Sequence, residues 1–213
     1  MRMLKRGMMK LENGICLFLS LVFNRHVLMW FRRMSAKIAW NANKRGFAAV
    51  GENTAAMPPY FLEGTEFITI GNGFRAKSNL RIEAYWEDHK EAPPYIRIGN
   101  GVCFNYYVHI GAVYGIVIGD DVLIGSHVLI TDHNHGDSSK EMLEKKPLDR
   151  PLLTKGEVII GNSVWIGENA VILPGSRIGN HCIIGANAVV NGEVPDFSVA
   201  VGNPVKILKR KDQ

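Results

Sequence analysis

Between Ile160 and Val190 an aliphatic, β-branched residue returns every six positions: Ile160, Ile166, Ile172, Ile178, Ile184 and Val190. A second series runs two residues ahead, through Val158, Val164, Ala170, Ser176, Cys182, Ala188 and Val194, all small or medium. Glycine follows the larger residue at Gly161, Gly167, Gly179 and Gly185. A period of six matches neither the 3.6 of an amphipathic helix nor the 2.0 of a plain strand. It indicates a β-helix solenoid, in which three short strands and three turns close one triangular coil. The larger residue points inward and stacks on its equivalent one coil away, about 4.8 Å along the axis. No single coil buries its own apolar face; stacking does that.

The phase extends upstream through Ile118, Ile124 and Ile130. From Ile130 to Ile160 is five repeats, read as one coil plus twelve further residues, so a loop leaves the stack over about 132–156. Its sequence, D-H-N-H-G-D-S-S-K-E-M-L-E-K-K-P-L-D-R-P, is polar and turn-rich. Ile98, Phe104 and Ile110 keep step with one another, but eight residues separate Ile110 from Ile118, which implies a two-residue slip within Gly111–Gly115. An earlier coil is expected near Ile70-Gly71, and E-A-Y-W-E-D-H-K-E-A-P-P (83–94) reads as a smaller protrusion. The expected organisation is an N-terminal helical segment over 1–59, a β-helix over 60–205, and a basic tail or short helix over 206–213.

Charge is unevenly placed. Residues 1–45 carry ten Lys/Arg and one acid, Glu12, so this segment is +9 while the whole chain is +5. The body is therefore net acidic, which argues against a nucleic-acid surface on it. The same segment holds I-C-L-F-L-S-L-V-F (15–23) and V-L-M-W-F (27–31). These runs are too short to span a bilayer, which takes about 20 apolar residues. They read as helices packing on the body as a cap, or as a basic interfacial helix giving peripheral membrane contact. A signal peptide is the third reading, though no small-x-small cleavage site follows. Cys16, Cys103 and Cys182 have neither metal nor disulfide spacing, so a reducing, cytoplasmic setting is expected, with residues 1–45 allowing attachment at the inner face of the membrane.

The hexapeptides together with V-W-I-G (164–167), I-L-P-G (172–175), I-G-A-N-A-V-V (184–190) and V-G-N-P-V-K-I-L (201–208) resemble the hexapeptide-repeat acetyltransferases. R-I-E-A (81–84), I-G-N-G-V-C-F-N (98–105) and T-D-H-N-H-G (131–136) resemble the galactoside, maltose and polysaccharide O-acetyltransferase branch. The resemblance implies a left-handed parallel β-helix, a homotrimer with sites between subunits, acetyl-CoA as cosubstrate and a saccharide acceptor, with no metal required. It places the family's general base on His133 and its acceptor-holding asparagine on Asn105. Asp132 and His135 flank the base and join the acceptor side; Asp132 or a backbone carbonyl would fix the imidazole tautomer. The family's second acceptor residue, an aspartate, has no counterpart, because A-V-Y (112–114) occupies its place. For acetyl-CoA the resemblance implies Ala186, Asn191, Gly192, Lys206 and Lys209; Trp165, outward by phase and so an interface or ligand contact, and Gly167 beside it join the cofactor-binding candidates.

The chemistry asks for such a set. An alcohol must lose its proton as it attacks a thioester, and a neutral imidazole accepts it at pH 7. Clustered lysines suit the phosphates of CoA. A rival reading uses His109, His127, His133 and His135 as zinc ligands across a subunit interface, as in γ-class carbonic anhydrases. Amino sugars or antibiotics remain open as acceptors.

Overall fold

The computed structural model describes residues 2–22, 24–86 and 92–208. Three parallel sheets wrap the chain into a triangular prism. The first face runs through seven strands from Ala49–Val50 to Glu193–Val194. The second runs from Ala55–Ala56 to Val199–Val201, where Lys206–Leu208 adds an antiparallel strand. The third holds six, from Tyr60–Glu63 to Val189–Val190. The architecture is the parallel β-helix expected from the period, with the left hand that the resemblance implies.

Strand registers show where the repeat is regular. Ile160 pairs with Ile178 and Ile166 with Ile184, eighteen positions on. The inward residues are almost completely buried on all three faces, among them Ile118, Ile124, Ile130, Ile160, Ile166 and Ile172. Ile98 pairs with Ile118 and Ile110 with Ile130, twenty positions on, so the slip is present.

Three sequence expectations need correction. Ile118 pairs with Ile160 and Ile130 with Ile172, forty-two positions on. No extra coil lies between Ile130 and Ile160; twenty-four surplus residues leave the stack as one excursion. Phase alone could not separate the two readings, because both insertions are multiples of six. Second, the solenoid begins before residue 60: Val50 pairs with Ile70, Ala56 with Ala76 and Leu62 with Ile82. Third, the last coil is two residues short. Val194 pairs with Ile178, so it occupies the large inward position rather than the small one.

One corner is held by a ladder of side-chain amides and carboxylates. Asn72, Asn100, Asp120, Asn162, Asn180 and Asp196 each follow the glycine or proline that ends a first-face strand. Each Oδ1 accepts the backbone N–H of the equivalent residue one coil earlier, for example Asp120 N–H to Asn162 at 2.8 Å and Asn180 N–H to Asp196 at 2.8 Å. The next residue turns left-handed, as at Asp121, Ser163 and His181, each with φ of 55°. This spaced Asn/Asp supplies the acceptor that a corner N–H lacks once the chain leaves the sheet.

The N-terminal end of the core is closed by aromatic packing. Helix α1 spans Arg2–Val22 and helix α2 spans Arg25–Asn43, with the Asn24 side chain accepting the N–H groups of His26 and Val27. Trp40 of α2, 1% exposed, lies against Phe47 and Phe74 and donates its indole N–H to Thr54 Oγ1 at 2.9 Å. Phe74 meets Phe104 edge-on one coil further in. The α2 helix is therefore the cap that the sequence leads one to expect, whereas every described side chain of α1, from Met8 to Leu21, is exposed.

Candidate active site

The third face carries the polar cluster. Arg81 pairs with His109, and Glu83 with Gly111, which in turn pairs with Thr131. Side chains alternate along a strand, so Arg81, Glu83, His109 and Gly111 share the outer surface. Beyond Thr131 the chain departs into the excursion, which opens as a ribbon: His133–His135 runs antiparallel to Leu152–Thr154. His133 and His135 are two apart and fall on one side of that ribbon. The result is a cleft of about 280 Å³ lined by Arg81, Glu83, Tyr85, His109, His133 and His135 among others.

His133 is oriented from below. Its Nδ1 lies 3.1 Å from Asp132 Oδ1 and 3.3 Å from Thr131 Oγ1. Asp132 is completely buried. Its Oδ1 also accepts Val113 N–H at 2.9 Å, and its Oδ2 accepts Tyr114 and Gly115 N–H at 2.8 and 2.7 Å. One carboxylate thus ties the two-residue slip of the previous coil to the imidazole. Three backbone donors surround it, so Nδ1 carries the hydrogen toward Asp132 and leaves the Nε2 lone pair for the cleft. Asp132, expected on the acceptor side, is in fact sealed from any acceptor; of the two roles proposed for it, fixing the tautomer is the one its geometry allows.

Glu83, within R-I-E-A, is given no role by the sequence. Its side chain is 2% exposed, takes a 2.7 Å bond from Arg81 Nη2, and meets His109 Nε2 at 3.0 Å. Burial pushes this carboxyl up, but the bonds from Arg81, Tyr85 and His109 together outweigh it and hold the group below its ordinary value. Glu83 is an acid on the cleft, where 112–114 offer none. Its one sequence signal is a glutamate two after an arginine, straddling an inward isoleucine in R-I-E-A. Gly111 leaves room between the two histidines: a Cβ there would stand 3.4 Å from His133 Cε1 and 3.7 Å from His109 Nε2.

The return of the excursion is pinned as well. The Tyr95 hydroxyl donates to Glu157 Oε2 at 2.6 Å, and this bond, with burial, pushes the phenol up to about 12. The Tyr95 ring lies so close to Gly115 that a Cβ there would meet it at 2.4 Å.

Other expected residues lie elsewhere. Asn105 sits at the turn between the second and third faces, its amide donating to Ile124 O at 3.2 Å, and it does not line the cleft. Trp165 is 52% exposed on the outer surface of the second face, between Leu123 and Ile183. Ala186, Asn191, Gly192 and Lys206 are exposed and also outside the cleft. Gly167 is buried, and a Cβ would strike Ala186 N at 2.6 Å. Its close approach to the next coil serves stacking, and it does not line the cleft. Lys209 lies outside the described residues. His127 does not stack on His109 but on Tyr107, with ring centroids 4.7 Å apart, because the coil is twenty residues there. Of the four histidines of the zinc reading, His127 is thereby set apart, while His109, His133 and His135 line the one cleft. No group of three His, Cys, Asp or Glu suited to a metal occurs among the described residues.

Comparison with known proteins agrees with this architecture. Residues 157–192 match the family model described as bacterial transferase hexapeptide, six repeats. The chain is 38% identical over 155 residues to the putative lipopolysaccharide biosynthesis O-acetyl transferase WbbJ of Escherichia coli K12, covering 71% of this chain and 76% of that one. It is 31% identical to the galactoside O-acetyltransferase of the same organism, over 78% of this chain and 65% of that one. Among solved structures, galactoside acetyltransferase in complex with coenzyme A has a TM-score of 0.54 at 29% identity, covering 78% of this chain and 66% of that one. A variant of AntD, an N-acyltransferase from Bacillus cereus, has a TM-score of 0.64 at 23% identity, covering 82% and 90%, a likeness of fold alone. Kinship at this level, carried on the same stack of coils, makes the chain an acyltransferase that belongs to the hexapeptide-repeat acetyltransferase family.

Proposed function

We propose that the protein transfers an acetyl group from acetyl-CoA to a hydroxyl of a saccharide, in the building of a surface polysaccharide. The carrying observation is the imidazole of His133, held through Nδ1 by a buried carboxylate and open at Nε2 to a polar cleft. As the acceptor oxygen attacks the thioester carbonyl, its proton passes to Nε2. The C–S bond then breaks, and the imidazolium returns the proton to the leaving thiolate. A positioned general base of this kind is worth about 10²–10⁴-fold. Arg81, half-exposed and held in place by the buried Glu83, offers guanidinium donors to sugar hydroxyls, and WbbJ and the galactoside enzymes are relatives named for sugar-related O-acetylation.

The residues expected to hold acetyl-CoA, chiefly Trp165, Ala186, Asn191, Gly192 and Lys206, and the acceptor residue Asn105 are not on the cleft of the same chain. A neighbouring copy can supply them, so we read the working unit as a homotrimer with sites between subunits. The exposed apolar column of Leu123, Trp165 and Ile183 supports a partner there. Use of acetyl-CoA and three free cysteines fit a cytoplasmic setting.

The test is acetyl transfer across a panel of sugars and nucleotide sugars, read as free CoA thiol. An ester product is alkali-labile and an amide is not, which separates hydroxyl from amine acceptors. His133→Ala is expected to lower kcat by about 10²–10⁴ with little change in thermal stability. His135→Ala, at a more exposed residue with no contact to Asp132, should cost far less. Activity retained by His133→Ala would overturn the assignment.

A further inference from the structure

Helix α2 has two unlike faces. Ala36 and Trp40 face the solenoid and are buried. On the opposite side Val27, Trp30, Phe31, Met34 and Ile38 follow helical spacing, and Trp30, Met34 and Ile38 are 55%, 38% and 66% exposed. The protein does not need this stripe for its own core, because Trp40 already closes the end of the stack. Beside it, between α2 and the second-face turn, lies a cleft of about 220 Å³ lined by Arg32, Arg33, Lys77 and Tyr106 among others. No carboxylate lies within ion-pair distance of these three cations among the described residues. The α1 helix adds exposed Met8, Leu11, Ile15 and Phe18 on one side, with Lys10 off that side. No single helix among the described residues is long and apolar enough to cross a membrane, and the two helices meet at a bend of 81°.

We propose that this end of the enzyme docks on an anionic lipid bilayer, with the Trp30–Ile38 stripe in the interface and Arg32, Arg33 and Lys77 on lipid phosphates. An apolar helical stripe rich in aromatic residues, flanked by cations, is the pattern of an interfacial helix, and the +9 charge of residues 1–45 complements an anionic surface. The acidic body would face away from it. A second copy of the chain, the other natural cover for an apolar stripe, would bring the Arg32–Arg33 cations of both copies near one another with no acid to separate them.

Flotation of the full chain with phosphatidylcholine vesicles, with and without phosphatidylglycerol, tests the proposal. Binding is expected only with phosphatidylglycerol, and it should weaken as salt is raised. Each basic group near such a surface is worth about fivefold in partitioning, so Arg32→Gln/Arg33→Gln should lower it about 25-fold. Trp30→Ser/Ile38→Ser should also detach the protein, with acetyl transfer in solution and melting temperature unchanged. Quenching by brominated lipid should fall in Trp30→Ser relative to wild type. Equal flotation with and without phosphatidylglycerol, binding of inorganic phosphate without vesicle binding, or a fall in sedimenting mass caused by Trp30→Ser/Ile38→Ser, which would mark a contact between copies, would each overturn the proposal.

Discussion

Asp132→Asn is the most informative single change, because the carboxylate's four contacts constrain what an amide can do. One oxygen must become an NH₂ group. If it takes the Oδ2 place, two backbone donors, Tyr114 N–H and Gly115 N–H, lose their acceptor and face another donor. If it takes the Oδ1 place, only Val113 N–H is orphaned, because His133 Nδ1 can switch from donor to acceptor. A buried orphan costs about 1–3 kcal/mol, so the Oδ1 placement wins by roughly one such penalty. It moves the imidazole hydrogen to Nε2 and removes the lone pair that would accept the acceptor's proton. The expected outcome is therefore a moderate loss of stability, about 1–3 kcal/mol by chemical denaturation, with a fall in kcat of about 10²–10⁴. Thiol release gives kcat, and the double mutant with His133→Ala should be little worse than either single mutant. A kcat within a few-fold of wild type, together with the stability loss, would refute the tautomer argument and leave Asp132 as a clamp on the slip alone.

Glu83→Gln should raise KM for the acceptor and change the pH dependence of stability. Because the folded carboxyl sits below its ordinary value, its contribution is present above the ordinary carboxylate range and is lost as pH falls through the lowered value; wild type should show that acid-side loss in thermal melts and Glu83→Gln should lack it. Asn162→Ala removes the acceptor of Asp120 N–H at an exposed corner, and should cost about 0.5–1.5 kcal/mol in urea titration without touching kcat. Lys206→Ala should raise KM for acetyl-CoA about two- to fivefold with kcat intact, since an exposed ionic contact to a remote phosphate strengthens ground and transition states alike.

The body of the solenoid was legible because each inward isoleucine reports its own coil. Its beginning was not: Val50, Ala56 and Leu62 keep the six-residue phase, but alanine is a weak mark of an interior, and the glycine and asparagine around them read as loop. His133 was legible because regularity stops beside it. Glu83 was not, because phase sorts residues into inward and outward and says nothing about which outward positions a neighbouring coil and Tyr85 will roof over. Asn105 was named by likeness and Trp165 by its outward phase, and that neither lines the His133 cleft is a property of three faces, invisible to a one-dimensional pattern.

The two closed ends have a consequence for assembly. A parallel β-helix is a stack whose every layer is a template for the next, so a bare terminal coil would be a growth front for other chains. Here the final second-face strand is met by Lys206–Leu208 running the opposite way, which offers the wrong polarity for continuing the stack. The opposite terminus is stoppered by the indole of Trp40. The terminators, and not the repeats alone, thus limit the stack, and loss of either is expected to favour end-to-end association of copies.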